Sequence, residues 1–112
     1  MTGAERIAAE RQRQIWVEGY DAGHDAGQAD ELAVAGAVYA IPPAERKLEG
    51  DVGIGVSVAV DLVDALWPWE PRFWKPTAKG SNEGRIRELE KAGALIAAAI
   101  DDLLDDQAEP SA

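Results

Sequence analysis

Near the C-terminal end of the chain, apolar and small residues recur in alternating steps of three and four positions. The series consists of Ile86, Leu89, Gly93, Ile96, Ile100 and Leu103. Such a series lies along one face of an α-helix, with the spacing found where helices pack at shallow angles. Ser81 or Asn82 is a suitable N-cap. The pattern therefore predicts a long helix that begins there, and the small residues around Gly93 offer a place where another helix can approach closely.

Two further helices are expected in the N-terminal half of the chain. Thr2 and Glu5 have the spacing of a capping box, and apolar residues follow at roughly helical intervals up to about Glu18. A second helix is expected from about position 25 or 30 to Ala40, because this stretch carries one apolar side and the prolines from Pro42 onward forbid continuation.

The middle of the chain carries a strand signal. Residues 52–60 alternate apolar and small side chains with a period of two, and β-branched residues fill the apolar positions. A lone strand is not stable in water, so it requires either another segment of the chain or the same strand of a second subunit. A helix from about Val56 to Leu66 is the competing interpretation, since valines also recur there at helical spacing. Residues 41–51 are expected to be a connector.

Residues 67–76 contain three tryptophans and three prolines, too many prolines for a regular helix or a central strand. We expect an ordered aromatic loop. Its rings either cover a thin core or stack on a ring-shaped ligand beside the cations Arg72 and Lys75. Trp69 and Trp74 are the candidates for ligand contact.

These elements together predict a mainly α fold: a small helical domain of about three helices with one short β-strand or hairpin and an aromatic loop. A chain of 112 residues has the size of one domain. The domain is expected to span residues 1–106, and residues 107–112 are expected to form a disordered acidic tail. The large residues expected in the core are Ile7, Ile15, Leu32, Val38, the tryptophans of the loop, Leu89, Ile96 and Ile100.

Charge narrows the classes of function. The chain has 21 acidic and 11 basic residues, a formal net charge of -10. This charge repels phosphate backbones and anionic membranes over a Debye length of ~8 to 10 Å, so neither general nucleic-acid binding nor membrane binding is expected. Five of the acids fall in the last twelve residues, which leaves room for a local basic site elsewhere.

The absence of cysteine excludes disulfides, a thiolate nucleophile and zinc sites built from thiolates. The first residues are charged where a signal peptide needs an apolar run, and no segment reaches the ~18 apolar residues of a membrane span. A cytoplasmic location is therefore expected.

A candidate polar site surrounds the single histidine. His24, Asp25 and Tyr20 lie in a glycine-rich stretch between the first two expected helices. If these helices form a hairpin, His24 and Asp25 could meet Glu10, Glu18 and Glu31 as a metal site or an acid/base pair. The alternative is that His24 and Asp25 merely close a loop, because their spacing matches no metal signature.

Two cations on the C-terminal helix, Arg87 and Lys91, lie one turn apart. They either bind an anion or pair with Glu88 and Glu90 on a solvated face. Residues 53–55 include two glycines but lack the remaining features of a phosphate-binding loop, so they carry no functional prediction.

Several short blocks form an ordered pattern between about residues 5 and 104. The blocks are Glu10-x-x-Arg13-Gln14, Glu18-Gly19-Tyr20, His24-Asp25, Glu31-Leu32-Ala33, Tyr39-Ala40, Trp67-Pro68-Trp69, Trp74-Lys75-Pro76 and Lys91-Ala-Gly-Ala-Leu-Ile96. In this order they resemble a family of small uncharacterised proteins encoded by tailed phages and prophages. The resemblance attaches no activity; it implies a phage context, in which small acidic accessory proteins often bind host factors or signalling molecules.

The leading hypothesis is a phage-type accessory binding protein without catalysis, metal or cofactor, which sequesters a nucleotide-like signal or a host defence factor. Homo-oligomerisation through the C-terminal helix is expected as well. The candidate ligand-binding residues are Glu10, Gln14, Tyr20, His24, Asp25, Trp69, Arg72, Trp74, Lys75, Arg87 and Lys91. Within the loop, Trp74→Ala is expected to abolish ligand capture at nearly unchanged stability, and Trp67→Ala mainly to destabilise.

Two alternatives remain open. The first is a metal-dependent enzyme similar to the helical nucleotide pyrophosphohydrolases, with Glu10, His24, Asp25 and Glu31 as its polar residues. Against it, Ala35 follows Glu31 and Lys91 follows Glu88 at positions where that family's pattern has acids. The second is an acidic mimic of nucleic acid that acts through surface charge alone.

Overall fold

The structure, a computed structural model, describes residues 1–18, 28–51 and 53–108. Three main helices form most of it: α1 (Gly3–Glu18), α2 (Ala29–Ala40) and α4 (Asn82–Ala108), with the short α3 (Leu62–Leu66). Two strands, β1 (Lys47–Asp51) and β2 (Ser57–Asp61), form a hairpin, and single 3-10 turns occur at Pro43–Glu45 and Pro71–Phe73. The predicted mainly helical fold with a hairpin and an aromatic loop is confirmed.

The helix ends follow local hydrogen bonding. In the capping box, the Thr2 amide donates to Glu5 Oε1 (2.9 Å) and the Glu5 amide donates to Thr2 Oγ1 (3.2 Å). At the start of α4, the Gly84 amide donates to Ser81 Oγ (3.1 Å). The predicted helix starts near residues 2 and 81 are therefore confirmed. The far end of α4 differs from the expectation, because the helix continues to Ala108 instead of ending before a tail at 107.

Helix α4 is central, and both α1 and α2 pack on it. A Cβ atom added to Gly93 of α4 would lie 2.6 Å from Ile7 Cδ1 of α1. A Cβ atom added to Gly36 of α2 would lie 2.9 Å from Ile96 Cγ1 of α4. Glycine at both positions lets the helices approach closely, as the small residues around Gly93 predict. The two contacts lie less than one turn apart on α4, at Gly93 and Ile96.

The core is made mainly of small side chains. Its buried members are Leu32, Ala35, Val38 and Tyr39 of α2 with Ala92, Ala94, Leu95, Ala98 and Ala99 of α4. The predictions for Leu32 and Val38 are confirmed. Those for Leu89, Ile96 and Ile100 are wrong, because all three are exposed. Alanines at the helix interface permit close approach, and Leu95 is the large residue of α4 that is buried among them.

The hairpin replaces two sequence expectations. Strand β2 pairs antiparallel with β1, with Leu48 opposite Val60 and Gly50 opposite Val58. The strand predicted at 52–60 thus begins only at Ser57, because residues 53–55 adopt positive φ angles and form the turn. Its partner β1 lies within residues 41–51, which the sequence analysis assigns to a connector, because the mixed polar sequence of β1 lacks the alternation typical of a strand. The competing helix is reduced to α3, which Asp61 Oδ1 caps by accepting from the Val63 amide (2.9 Å).

Candidate functional site

A fully buried carboxylate holds together the elements that frame the site. Glu88 of α4 is 0% exposed and accepts from Arg46 Nη2 (2.9 Å) and Arg85 Nη1 (3.2 Å). It also accepts from the backbone amides of Thr77 (3.0 Å) and Ala78 (3.2 Å). The alternative of a solvated face is therefore wrong for Glu88, whose partner Arg46 lies far away in the sequence.

Burial alone would raise the pKa of Glu88. The hydrogen bond from the Arg46 guanidinium and those from the Ala78 and Thr77 amides outweigh burial and hold this pKa below its usual range. Glu88 is therefore a charged anchor that fixes the segment after the aromatic loop to α4.

The same two arginines close the C-terminal end of α2. Arg85 Nη2 donates to the Ala40 carbonyl (2.6 Å), and Arg85 Nη1 and Arg46 Nη2 donate to the Tyr39 carbonyl (2.9 and 3.2 Å). Carbonyls at a helix end lack partners within the helix, and cations are favourable there. The position of α2 relative to α4 is thus fixed by buried charge as well as by the alanine contacts.

An aromatic cluster of Tyr39, Trp67, Trp69 and Trp74 packs against the core. The Tyr39 and Trp74 ring centroids are 4.6 Å apart, and Trp67 meets Tyr39, Trp69 and Trp74 edge to face at 5.6, 5.5 and 5.2 Å. The Arg46 guanidinium lies 5.0 Å from the Trp74 ring centroid. The aromatic loop is therefore ordered on α2, with Trp74 held on several sides.

A groove of about 590 Å³ opens beside this cluster, with α1, α2, the aromatic loop and α4 all contributing to its lining. Its lining residues are Glu10, Arg13, Gln14, Gln28, Glu31, Leu32, Tyr39, Trp67, Trp69, Phe73, Lys75, Arg87, Lys91 and Leu95. This volume is within the range of small-molecule sites, and the mixture of aromatic walls with a few polar groups is typical of them.

One end of the groove carries a charge cluster on a buried carboxylate. Glu10 is 3% exposed and accepts from Arg13 Nε (2.6 Å) and Arg87 Nη1 (2.8 Å). Burial alone would raise the pKa of Glu10, but the hydrogen bonds and charges of Arg13 and Arg87 outweigh it and lower the pKa. Arg87 Nη1 also lies 3.9 Å from Glu90 Oε1, the pairing that the sequence offered as the alternative for Arg87, so two guanidinium groups here face two carboxylates.

Lys91 adds a further cation to this end. Its Nζ donates to the Lys75 carbonyl (2.9 Å) and lies 5.5 Å from the Tyr39 ring centroid. Burial, reinforced by repulsion from Arg87, holds the pKa of Lys91 below its ordinary value, against the attraction of Glu10 and Glu88. A neutral carbonyl does not cancel the ammonium charge, so an incoming anion would find it available.

Two further polar groups, on Gln14 and Trp69, belong to the groove lining. Gln14 is 3% exposed, and its Oε1 has no hydrogen-bond partner among the described residues. A buried acceptor without a partner is costly, so this atom suits an N–H or O–H group of a ligand. Trp69 Nε1 donates to Glu31 Oε2 (3.1 Å), which orients the indole at the groove wall.

Six of the predicted ligand-binding residues line the groove together: Glu10, Gln14, Trp69, Lys75, Arg87 and Lys91. Trp74 lies in the aromatic cluster instead. Arg72 is exposed, pairs with Glu70 (3.1 Å) and lies 4.7 Å from the Phe73 ring centroid. Tyr20, His24 and Asp25 fall outside the described residues.

Sequence reasoning did not nominate Arg13, Tyr39 and Phe73 as site residues. The spacing of Arg13 and Gln14 next to Glu10 on one helix gave a usable signal for Arg13. For Tyr39 and Phe73 no local pattern points to the groove, because they reach it only through the packing of the aromatic loop on α2.

Within residues 1–18, 28–51 and 53–108, no group of three or more histidine or acidic side chains is placed to hold a metal ion. Across the same ranges, none of the helices combines the length and apolar character required for a membrane span. No protein-family model, curated protein or solved structure matches the chain.

Proposed function

We propose that the protein is a non-catalytic binding protein whose groove captures a nucleotide-like molecule, that is, a small ligand with a flat ring and an anionic group. The observation that carries this proposal is the meeting of aromatic faces with the cations Lys75, Arg87 and Lys91 in one groove of an otherwise acidic chain. Neither feature alone would distinguish a ligand site from a core lid or a solvated face.

The groove has two regions, and each suits one part of the ligand. Trp69 and Phe73 offer flat walls for a ring, and stacking of a base on such a side chain contributes roughly 1–3 kcal/mol. Arg13, Arg87 and Lys91 at the other part suit phosphate oxygens, since guanidinium groups donate in a fork that matches them. Because Arg13 and Arg87 also hold Glu10, the cations are already oriented before an anion arrives.

Binding of the nucleotide without any reaction would be enough for such a site to have a biological effect. Placed in a phage context, as the sequence resemblance suggests, it would remove a nucleotide signal from the host. Binding of a host defence factor by the same protein is the related alternative, and it predicts a protein partner in place of a small ligand.

Titration calorimetry with AMP, adenosine and inorganic phosphate tests the division of the groove. We expect AMP to bind at least about tenfold more tightly than either fragment, since each fragment occupies only one part. GMP, cyclic AMP and a cyclic dinucleotide extend the panel to other rings and charges. If none of these nucleotides binds saturably, the proposal is contradicted.

Matched tryptophan variants locate the binding. Trp69→Ala should weaken the best nucleotide by roughly 5- to 150-fold, the equivalent of one lost stacking contact. Trp16→Ala, at a tryptophan of α1 that is 77% exposed and outside the groove lining, should change nothing. Equal effects of the two substitutions would place the ligand elsewhere.

Metal-dependent nucleotide hydrolysis is the second candidate, because the carboxylates Glu10 and Glu31 line the same groove. Against it, Glu10 is neutralised by two arginines and Glu31 accepts from Trp69. We expect no release of pyrophosphate from nucleoside triphosphates with Mg²⁺ or Mn²⁺. Metal-dependent release that Glu31→Gln abolishes would favour the enzyme over the binding protein.

A further inference from the structure

Gln14 of α1 is a groove residue whose side-chain oxygen the fold leaves without a hydrogen-bond partner. Among the described residues, three buried side-chain atoms make no hydrogen bond: Gln14 Oε1, Arg46 Nε and Glu90 Oε2. Arg46 and Glu90 use other atoms of their side chains in ion pairs. Of the three residues, Gln14 is the one that lines the groove, although it is only 3% exposed. A buried acceptor of this kind is rare in a folded chain and points to a missing partner.

The place of Gln14 on α1 relates it to the cationic end of the groove. Gln14 follows Glu10 by one helical turn, so it lies on the same face of α1, ~5.4 Å further along the axis. Glu10 accepts from Arg13 and Arg87, the guanidinium groups that would meet an anion. The oxygens of an ionised phosphate are acceptors and cannot satisfy another acceptor. The uncharged part of a ligand must therefore supply the donor for Gln14.

A second acceptor lies at the aromatic wall of the groove. Glu31 Oε2 accepts from Trp69 Nε1 (3.1 Å), and both residues line the groove. This bond leaves further lone pairs on the Glu31 carboxylate, at the edge of the indole on which a ring would stack. An amino or hydroxyl group is favoured there, whereas a carbonyl oxygen is repelled by the carboxylate.

We propose that Gln14 determines specificity in the groove by accepting a hydrogen bond from an amino or hydroxyl group of the captured nucleotide. This inference rests on the proposed function, because it takes a nucleotide as the ligand. The donor is an amino group of the base or a hydroxyl group of the sugar, and both supply the chemistry that Gln14 lacks. The terminal torsion of a glutamine is soft, so a small rotation of the amide turns Oε1 toward the ligand without moving α1.

Analogues of AMP that each lack one donor test the inference in the natural chain. Purine riboside monophosphate lacks the amino group, and 2′-deoxy-AMP and 3′-deoxy-AMP each lack one hydroxyl. In titration calorimetry, AMP should bind roughly 5- to 150-fold more tightly than one of these analogues, because the analogue leaves a buried acceptor unpaired.

The outcomes separate this inference from the proposed function. Equal affinity for AMP and all three analogues overturns the inference and leaves nucleotide capture standing. A chain that binds other nucleotides but not AMP also overturns the inference alone. If no nucleotide binds, the proposed function fails as well.

Matched glutamine variants assign the donor to Gln14. Gln14→Met keeps the length of the side chain but removes the acceptor, so the disfavoured analogue should bind this variant as tightly as AMP does, within about twofold. The analogue whose deficit disappears identifies the base or the sugar as the source of the donor. Gln12→Met makes the same change at an exposed position of α1 outside the groove lining and should keep the full preference. A preference that survives in Gln14→Met overturns the assignment to Gln14.

Thermal melting separates ligand recognition by Gln14 from a role in the fold. Because Gln14 Oε1 has no partner to lose, Gln14→Met should leave the melting temperature unchanged or raise it. Circular dichroism of Gln14→Met and Gln12→Met without ligand measures this. A Gln14→Met protein that is clearly less stable than Gln12→Met, or that does not fold, would show that the glutamine serves the fold and would overturn the inference.

Discussion

The groove side of α4 and its opposite side differ in the chemistry of their side chains. The groove side carries Arg87, Lys91 and, at its edge, the buried Glu88, each held by hydrogen bonds from or to another element. The opposite side presents the exposed hydrocarbon side chains of Ile86, Leu89, Ile100 and Leu103, and near its middle Ile7 of α1 lies over Gly93 and Ile96 lies at Gly36 of α2. One helix therefore offers directional recognition on one side and undirected burial on the other.

This difference sets how each side should respond to mutation and to pH. Charges in the groove were oriented when the chain folded, so their loss should be felt in stability or in ligand affinity. Loss of an exposed apolar side chain on the opposite side, such as Ile100, should change stability less and leave ligand affinity unchanged.

The largest effect is expected at Glu88. Glu88→Gln removes the charge that Arg46 and Arg85 share and leaves the buried Arg46 guanidinium and the partly exposed Arg85 guanidinium without this counterion, which should cost about 3–5 kcal/mol of unfolding free energy. Glu83→Gln, an exposed position on the same helix, should change it by less than about 0.5 kcal/mol. Urea denaturation of the two variants checks this, and equal stabilities would refute the anchoring role.

A second, smaller effect separates the tryptophans. Trp74→Ala removes contacts with Tyr39, Trp67 and Arg46 and should cost about 2–3 kcal/mol, somewhat less than for a fully buried ring. This reverses the sequence expectation, in which Trp74 faced the ligand. Trp69→Ala should cost less stability and more affinity. Thermal melting paired with calorimetry measures both, and a Trp74→Ala protein of natural stability would contradict the packing described.

The smallest effect on stability is that of pH. The free energy of unfolding should change little near neutral pH and should fall under acid. The pKa values of Glu10 and Glu88 are lowered in the folded chain, whereas unfolded glutamate has a pKa of about 4.3. The folded chain then binds these protons less readily, so their stabilisation is complete above about pH 4.3 and is lost as pH falls through the lowered values. Denaturation midpoints from pH 7 to 3 measure it, and Glu88→Gln should flatten the curve. A parallel curve for that variant would exclude the Glu88 contribution.

Local signals made the frame of the molecule predictable. The capping box at Thr2 and Glu5 and the prolines after Ala40 act within a few residues, so the sequence shows where α1 begins and α2 ends. The period of α4 was equally visible. Its buried side was not, because large residues dominate a periodicity while the alanines that form the interface contribute little to it.

The site was predictable only in part, for a related reason. Arg87 and Lys91 attract attention as neighbouring cations on a helix, and both line the groove. The roles of Glu88 and Trp74 depend on Arg46, which reaches them from the base of the hairpin, and nothing in the local sequence connects these positions. Distant pairing of this kind emerges only from the packed fold.

Native mass spectrometry after purification from a lysate supplemented with the best-binding nucleotide tests the binding groove most directly, because it reports the retained ligand itself. The natural chain should retain one ligand per subunit. Trp69→Ala should lose the ligand, and Ile100→Lys, at an exposed position on the opposite side of α4, should keep it. If the natural chain retains no ligand, or if Trp69→Ala retains it as well as the natural chain does, the groove is not the binding site.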